Sequence, residues 1–159
     1  KLFSLYNALS YNRSIYDSDY STRTGQATGT RIGGTATVDG VVPTGGKLIP
    51  VSPKWMNKTV ATLTLGDFDA QFIGDYVGRR YTTFTNDAFV KSYFLGSARI
   101  AYRLPPQLIG LQKAEISLNV TNLFKETGAS TVQASANTNN YNVYPIAPRQ
   151  WFATLSVMY

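Results

Sequence analysis

Apolar and polar positions alternate with a period of two along six stretches of the chain, and each stretch predicts a strand with one apolar and one polar face. Between Leu2 and Tyr16, Phe3, Leu5, Leu9 and Tyr11 share one parity, with Ser4, Ser10 and Asn12 on the other. From Trp55 to Leu65 the odd positions Trp55, Ala61, Leu63 and Leu65 oppose Lys58, Thr62 and Thr64, while Met56 and Val60 break the phase. Phe68 to Tyr81 sets Phe68, Ala70, Phe72 and Tyr76 against Asp69, Gln71, Asp75 and Arg79. Tyr93 to Leu104 sets Phe94, Ala98, Ile100, Tyr102 and Leu104 against Ser97, Arg99 and Arg103. The cleanest pattern runs from Ala114 to Phe124, with Ala114, Ile116, Leu118, Val120 and Phe124 opposite Glu115, Ser117, Asn119 and Thr121. The last stretch alternates Trp151, Ala153, Leu155, Val157 and Tyr159 with Thr154 and Ser156. No stretch carries a convincing helical period.

The connections alternate as well. Gly66-Asp67 is a tight hairpin signal, and Pro105-Pro106-Gln107-Leu108-Ile109-Gly110 is a short proline-stopped turn. The other three connections, 17–54, 82–92 and 125–149, are longer and rich in polar residues. Short turns at one end and long polar loops at the other predict an all-β, antiparallel, up-and-down transmembrane β-barrel sheet of about six strands, with short periplasmic turns and long external loops. Aromatics then serve as interfacial girdles: Tyr81, Tyr93, Trp151 and Phe152 at the loop end, Phe68, Tyr102 and Tyr159 at the turn end. A soluble β-sandwich shows the same alternation with its apolar parity turned to a core, and periodicity alone does not separate the two.

Composition narrows the chemistry. The 159 residues include no His and no Cys, which removes imidazole bases, thiolate nucleophiles, disulfides and the usual zinc ligands. No G-x-S-x-G motif occurs, and Asp69 and Asp75 are six residues apart on one strand face, about 20 Å, too far for a carboxylate pair. No enzyme activity, metal or cofactor is expected. The net charge is +6, yet the cations are scattered apart from Arg79-Arg80, so no nucleic-acid partner is expected either. No apolar run of about 20 residues exists to form a transmembrane helix.

Several motifs then carry a resemblance. Phe72-Ile73-Gly74-Asp75-Tyr76-Val77-Gly78-Arg79-Arg80-Tyr81, followed by Thr85-Asn86 and Val90-Lys91-Ser92-Tyr93, resembles the carboxy-terminal barrel of TonB-dependent outer-membrane receptors. So do Asn119-Val120-Thr121-Asn122-Leu123-Phe124 and Ala147-Pro148-Arg149, which enters a final strand ending in an aromatic. The resemblance extends over residues 1–159 and is weakest across 17–54. It implies a barrel of about 22 strands around a plug, importing a scarce ligand such as a ferric siderophore, a vitamin or a glycan, coupled to an inner-membrane energy complex. On this reading the chain supplies the last six or so strands. It holds neither the plug nor the amino-terminal segment that contacts the TonB complex, so it is expected to be a fragment of a receptor or a short protein derived from one, with its beginning removed by processing or truncation.

The same reading assigns site residues. Asp69, Gln71, Asp75, Arg79, Arg99, Arg103, Glu115 and Asn119 are the lumen-facing candidates, meeting a plug or a passing ligand or pairing across neighbouring strands. The arginines suggest a weak preference for anionic solutes or plug carboxylates. Tyr141, Tyr144 and Arg149 are the external-loop ligand candidates, with loop packing as the plainer role, and Arg80 beside Tyr81 is a candidate for a lipopolysaccharide phosphate. Phe152, Val157 and Tyr159 match the terminal signal by which outer-membrane barrels are delivered to the barrel assembly machinery, although Thr154 stands where glycine is common. The expected location is the outer membrane, among its lipid and lipopolysaccharide. Six strands leave two open edges, so the missing plug and barrel strands, or further copies of the chain, are expected partners. Two other readings remain at this point: a passive oligomeric pore joined edge to edge, and a soluble β-sandwich binding module.

Overall fold

The computed structural model of the chain describes residues 2–105, 113–135 and 142–158. Six long strands form one antiparallel sheet: β1 (Leu2–Tyr11), β5 (Trp55–Leu65), β6 (Phe68–Val77), β9 (Tyr93–Leu104), β10 (Lys113–Thr121) and β13 (Gln150–Met158). Their spatial order is their chain order, an up-and-down meander with β1 and β13 at the two ends. Each is 9 to 12 residues long, the length at which a tilted strand crosses a hydrocarbon core. No helix among the described residues is long and apolar enough to cross a membrane, which says nothing against crossing by strands.

The shorter strands lie in the long connections. These are β2 (Tyr20–Ser21), β3 (Gln26–Ala27) and β4 (Val41–Val42), then β7 (Arg80–Tyr81) and β8 (Phe89–Val90), then β11 (Ala129–Gln133) and β12 (Asn142–Pro145). At the opposite end, β5 turns into β6 through Gly66-Asp67, with Leu65 paired to Phe68. Gly66 has φ +61°, and glycine at the first central position is what a tight hairpin of this kind requires.

Register aligns the alternation of separate strands into rows. One row reads Phe3, Leu63, Ala70, Ile100, Leu118 and Ala153; the next reads Leu5, Ala61, Phe72, Ala98, Val120 and Trp151. On the other face one row reads Ser4, Thr62, Gln71, Arg99, Asn119 and Phe152. A water-soluble sandwich would cover the apolar rows with a second sheet. Here most of their large side chains are open, with Leu5 63%, Ile100 49% and Leu118 46% exposed, while Val120 is tucked in at 5%. Among the described residues the apolar parity is thus largely open on one face and the polar and charged parity gathers on the other, the pattern of a membrane strand rather than of a soluble core.

Three strands end earlier than the alternation suggests. The first stops at Tyr11 rather than Tyr16, because Asn12 turns the chain, its Nδ2 donating to Ser52 Oγ at 2.6 Å. The third stops at Val77 rather than Tyr81; Gly78 N–H closes onto Trp55 C=O at 2.8 Å, and Arg80–Tyr81 pair with β8 instead. The fifth stops at Thr121 rather than Phe124, because Asn122 adopts φ +50°.

Candidate functional site

On the polar face the predicted lumen residues fall into a network across neighbouring strands. Asp69 accepts from Thr64 Oγ1 at 2.6 Å and forms an ion pair with Arg103, whose Nη1 also donates to Gly66 C=O at 3.3 Å. Arg99 Nη2 meets Glu115 Oε1 at 2.5 Å, and Lys58 Nζ meets Asp75 Oδ1 at 3.0 Å. Gln71 Nε2 donates to Thr62 Oγ1 at 3.3 Å, and Asn119 stands in the same row beside Arg99. The strand pattern brings these seven onto one surface. Lys58, unassigned from sequence, completes the charge balance there.

Arg79 does not join them. It lies beyond the end of β6, exposed, with its guanidinium carbon 5.3 Å from the Tyr81 ring centroid and 4.9 Å from that of Phe89. The expected alternation through residue 79 fails because β5 begins at Trp55, which Gly78 N–H already reaches, and the chain goes on to pair Arg80–Tyr81 with β8. The neighbouring arginine corrects another expectation. Arg80 is 5% exposed, donating to the carbonyls of Ser130 at 2.9 Å and Ala129 at 2.5 Å, and it lies 5.5 Å over Tyr93. A guanidinium so enclosed fastens one loop to another and is not presented to a lipid phosphate.

Arg80 belongs to a set of buried polar residues that tie the long connections together. Asp19, 1% exposed, accepts from Ile32 N–H at 2.5 Å and Gly45 N–H at 2.8 Å. Asn86 accepts from Leu48 N–H at 2.7 Å and donates to Leu48 C=O at 2.8 Å, joining the second connection to the first. Ser135 N–H donates to Thr82 C=O at 3.0 Å, joining the third to the second. Asn122 accepts from Glu126 N–H at 2.7 Å and donates to the carbonyls of Glu126 and Ala147, both at 2.9 Å. The Asp19, Arg80, Asn86 and Asn122 side chains satisfy backbone groups that a loop would otherwise leave unpaired, and with the Ser135–Thr82 backbone bond they make the connections a structured cap. Nearby, burial holds the Tyr16 phenol above its usual value of 10.0 by desolvating the phenolate. Sequence inspection missed Asp19, Asn86 and Asn122; the readable signal was asparagine inside the Thr85-Asn86 and Thr121-Asn122 pairs, at positions with φ +61° and +50°.

Of the loop candidates, Tyr144 is exposed on β12, and exposed Arg149 lies 5.8 Å over the Trp151 ring at the entry to β13. Tyr141 and Tyr159 lie outside the described residues. Val157 opposes Ala114 on the apolar face, while Phe152 opposes Asn119 on the polar face, so this pair of the terminal signal does not share a side. The loop-end aromatics differ in part from expectation. Trp151 is on the apolar parity, but Tyr93 pairs with Val77 and Phe152 with Asn119 on the polar one, and Tyr81 belongs to β7. The apolar rim is built instead from Tyr11 and Trp55, ring centroids 4.6 Å apart, Tyr76 opposite Phe94, and Phe124, which lies 5.9 Å from Phe94 and 6.3 Å from Phe72. At the turn end Phe68 opposes Tyr102 as expected.

No protein-family model matches the chain, and no curated protein matches it. Among solved structures it is similar to the ferric-catecholate import receptor Fiu of E. coli K12, at 16% identity and a TM-score of 0.64 over 98% of this chain and 18% of that one. It is similar to the unliganded ferric citrate transporter FecA, at 20% identity and a TM-score of 0.59 over 72% of this chain and 18% of that one. The siderophore receptor PiuA of Acinetobacter baumannii matches at 20% identity and a TM-score of 0.60 over 78% of this chain and 16% of that one. The chain spans less than a fifth of the length of each. At these identities the likeness establishes the fold: an antiparallel all-β sheet of the kind those β-barrels contain.

Proposed function

We propose that the chain forms the carboxy-terminal strands of a TonB-dependent outer-membrane transporter that imports a scarce ligand, a ferric siderophore being the foremost candidate class. The carrying observation is the inverted sheet: apolar rows open on one face, a paired polar network on the other, and strands of membrane-crossing length. The sheet matches part of three proteins whose names speak of iron-ligand import or siderophores. In this reading the polar face lines the lumen or meets a plug, and the loop cap presents Tyr144 and Arg149 outward. Further barrel strands close the sheet, since unpaired backbone groups in hydrocarbon cost several kcal/mol each.

Uptake of radiolabelled ferric siderophores by iron-starved cells tests the proposal. Deleting the gene that encodes the chain is expected to abolish uptake of at least one ferric siderophore, and collapsing the inner-membrane proton gradient is expected to stop that uptake in the parent strain. Uptake that persists after the collapse contradicts energised import and points to a passive pore.

A further inference from the structure

At the rim where the apolar rows end, two cations stand without a carboxylate partner among the described residues. The ion pairs found there, Lys58–Asp75, Arg99–Glu115 and Arg103–Asp69, all lie on the polar face. Arg79 is held differently. The Tyr81 and Phe89 rings lie within 5.3 Å and 4.9 Å of its guanidinium carbon, and its Nη2 donates to the Tyr81 hydroxyl at 3.3 Å. Those contacts orient the charge without neutralising it. Lys54, exposed just before β5, shares a cleft of about 240 Å³ with Arg79. Two hydroxyl-bearing residues, Ser52 and Ser92, line the same cleft, and Trp55 and Tyr76 wall it.

The walls decide the kind of ligand. Trp55 pairs with Tyr11, and Tyr76 with Phe94, on the apolar parity, so the cleft opens where the cap meets the apolar face. One oriented guanidinium, an exposed ammonium and neighbouring hydroxyls suit a phosphate group, and an indole and a phenol suit the boundary between headgroups and acyl chains. A free phosphate has no use for the apolar wall, whereas a lipid phosphate does, because its acyl chains continue along the rows below. We infer that this cleft binds the phosphate of a membrane lipid in the leaflet at the loop end. The inference rests on the membrane reading of the apolar face and adds a site to it.

The test uses the protein that carries this chain, purified in detergent from the membrane of cells that make it, and native mass spectrometry with three probes: phosphatidic acid, phosphatidylcholine and inorganic phosphate. Phosphatidic acid is expected to be retained over phosphatidylcholine. The Lys54→Gln/Arg79→Gln variant is expected to retain it about 25-fold less, roughly fivefold per cation. Arg79→Lys, which keeps the charge, is expected to recover most of the loss, and Lys113→Gln, at the other end of the sheet, to change nothing. Equal retention by the double variant, no preference over phosphatidylcholine, or saturable binding of inorganic phosphate at the same residues would overturn the lipid site. Failure to partition into detergent at all would instead overturn the membrane reading beneath it.

Discussion

Asn122 stands where a long strand has to stop and a long loop has to come back. Its φ of +50° suits asparagine better than most residues, and its amide holds Glu126 and Ala147 at once, so two motifs 25 residues apart in the chain share one side chain. Asn122→Ala removes three hydrogen bonds at about 1 kcal/mol each and is expected to cost about 3 kcal/mol in urea unfolding within lipid vesicles. Asn122→Asp keeps the acceptor and is expected to cost less. Gly96 tells a complementary story: a Cβ there would lie 2.4 Å from Phe124 Cε2. Gly96→Ala is expected to cost about 1–3 kcal/mol, and placing it in a Phe124→Ala background is expected to remove most of that increment. Additive costs in that cycle would show that the ring does not cover the glycine. From sequence, Phe124 reads as one more apolar position of its strand. Its role as a lid on Gly96 comes from a chain reversal that alternation does not encode.

At the level of strands, the period-two pattern located all six long elements because one face of each meets a uniform environment along its whole length. It overran the ends of three, since pairing stops where the partner strand runs out, as at Gly78 opposite Trp55, or where the backbone turns, as at Asn122, and alternation continues blindly past such points. Met56 and Val60, out of phase in sequence, are placed by register: Val60 lies between Tyr6 and Ile73, and Met56 between Ser10 and Val77, apolar spots on either side of the Lys58–Asp75 pair on the otherwise polar face. The two faces should respond oppositely to charge. Leu118→Arg is expected to cost about 2–4 kcal/mol in lipid vesicles, as a charge on a lipid-facing position does, while Gln71→Arg on the polar face is expected to change stability by less than about 1 kcal/mol. Equal penalties at both positions would contradict the assignment of the faces. The Lys58–Asp75 pair is exposed enough that a double-mutant cycle is expected to give a coupling below about 1 kcal/mol.

For the whole molecule, the sheet ends on strands that run in opposite directions, so an even number of strands keeps every pairing antiparallel when the structure closes. β1 and β13 are exposed along nearly their full lengths, which is where further strands are expected to add. The polar face of the candidate site was legible in sequence because charges on one parity must meet across neighbouring strands. The cap was not, because its order depends on single buried polar side chains reaching between connections far apart in the chain, and composition registers these only as polar loop.

The claim on which everything else depends is that one face of the sheet meets lipid and the other does not. The chain contains no cysteine, so single cysteines carrying nitroxide spin labels can be placed along β10 without interference. In membrane-embedded protein, labels at Ile116 and Leu118 are predicted to be relaxed by lipid-soluble oxygen, and labels at Glu115, Ser117 and Asn119 by a water-soluble nickel chelate, alternating residue by residue. The opposite phase, or even positions hidden from both reagents as in a soluble core, would contradict it.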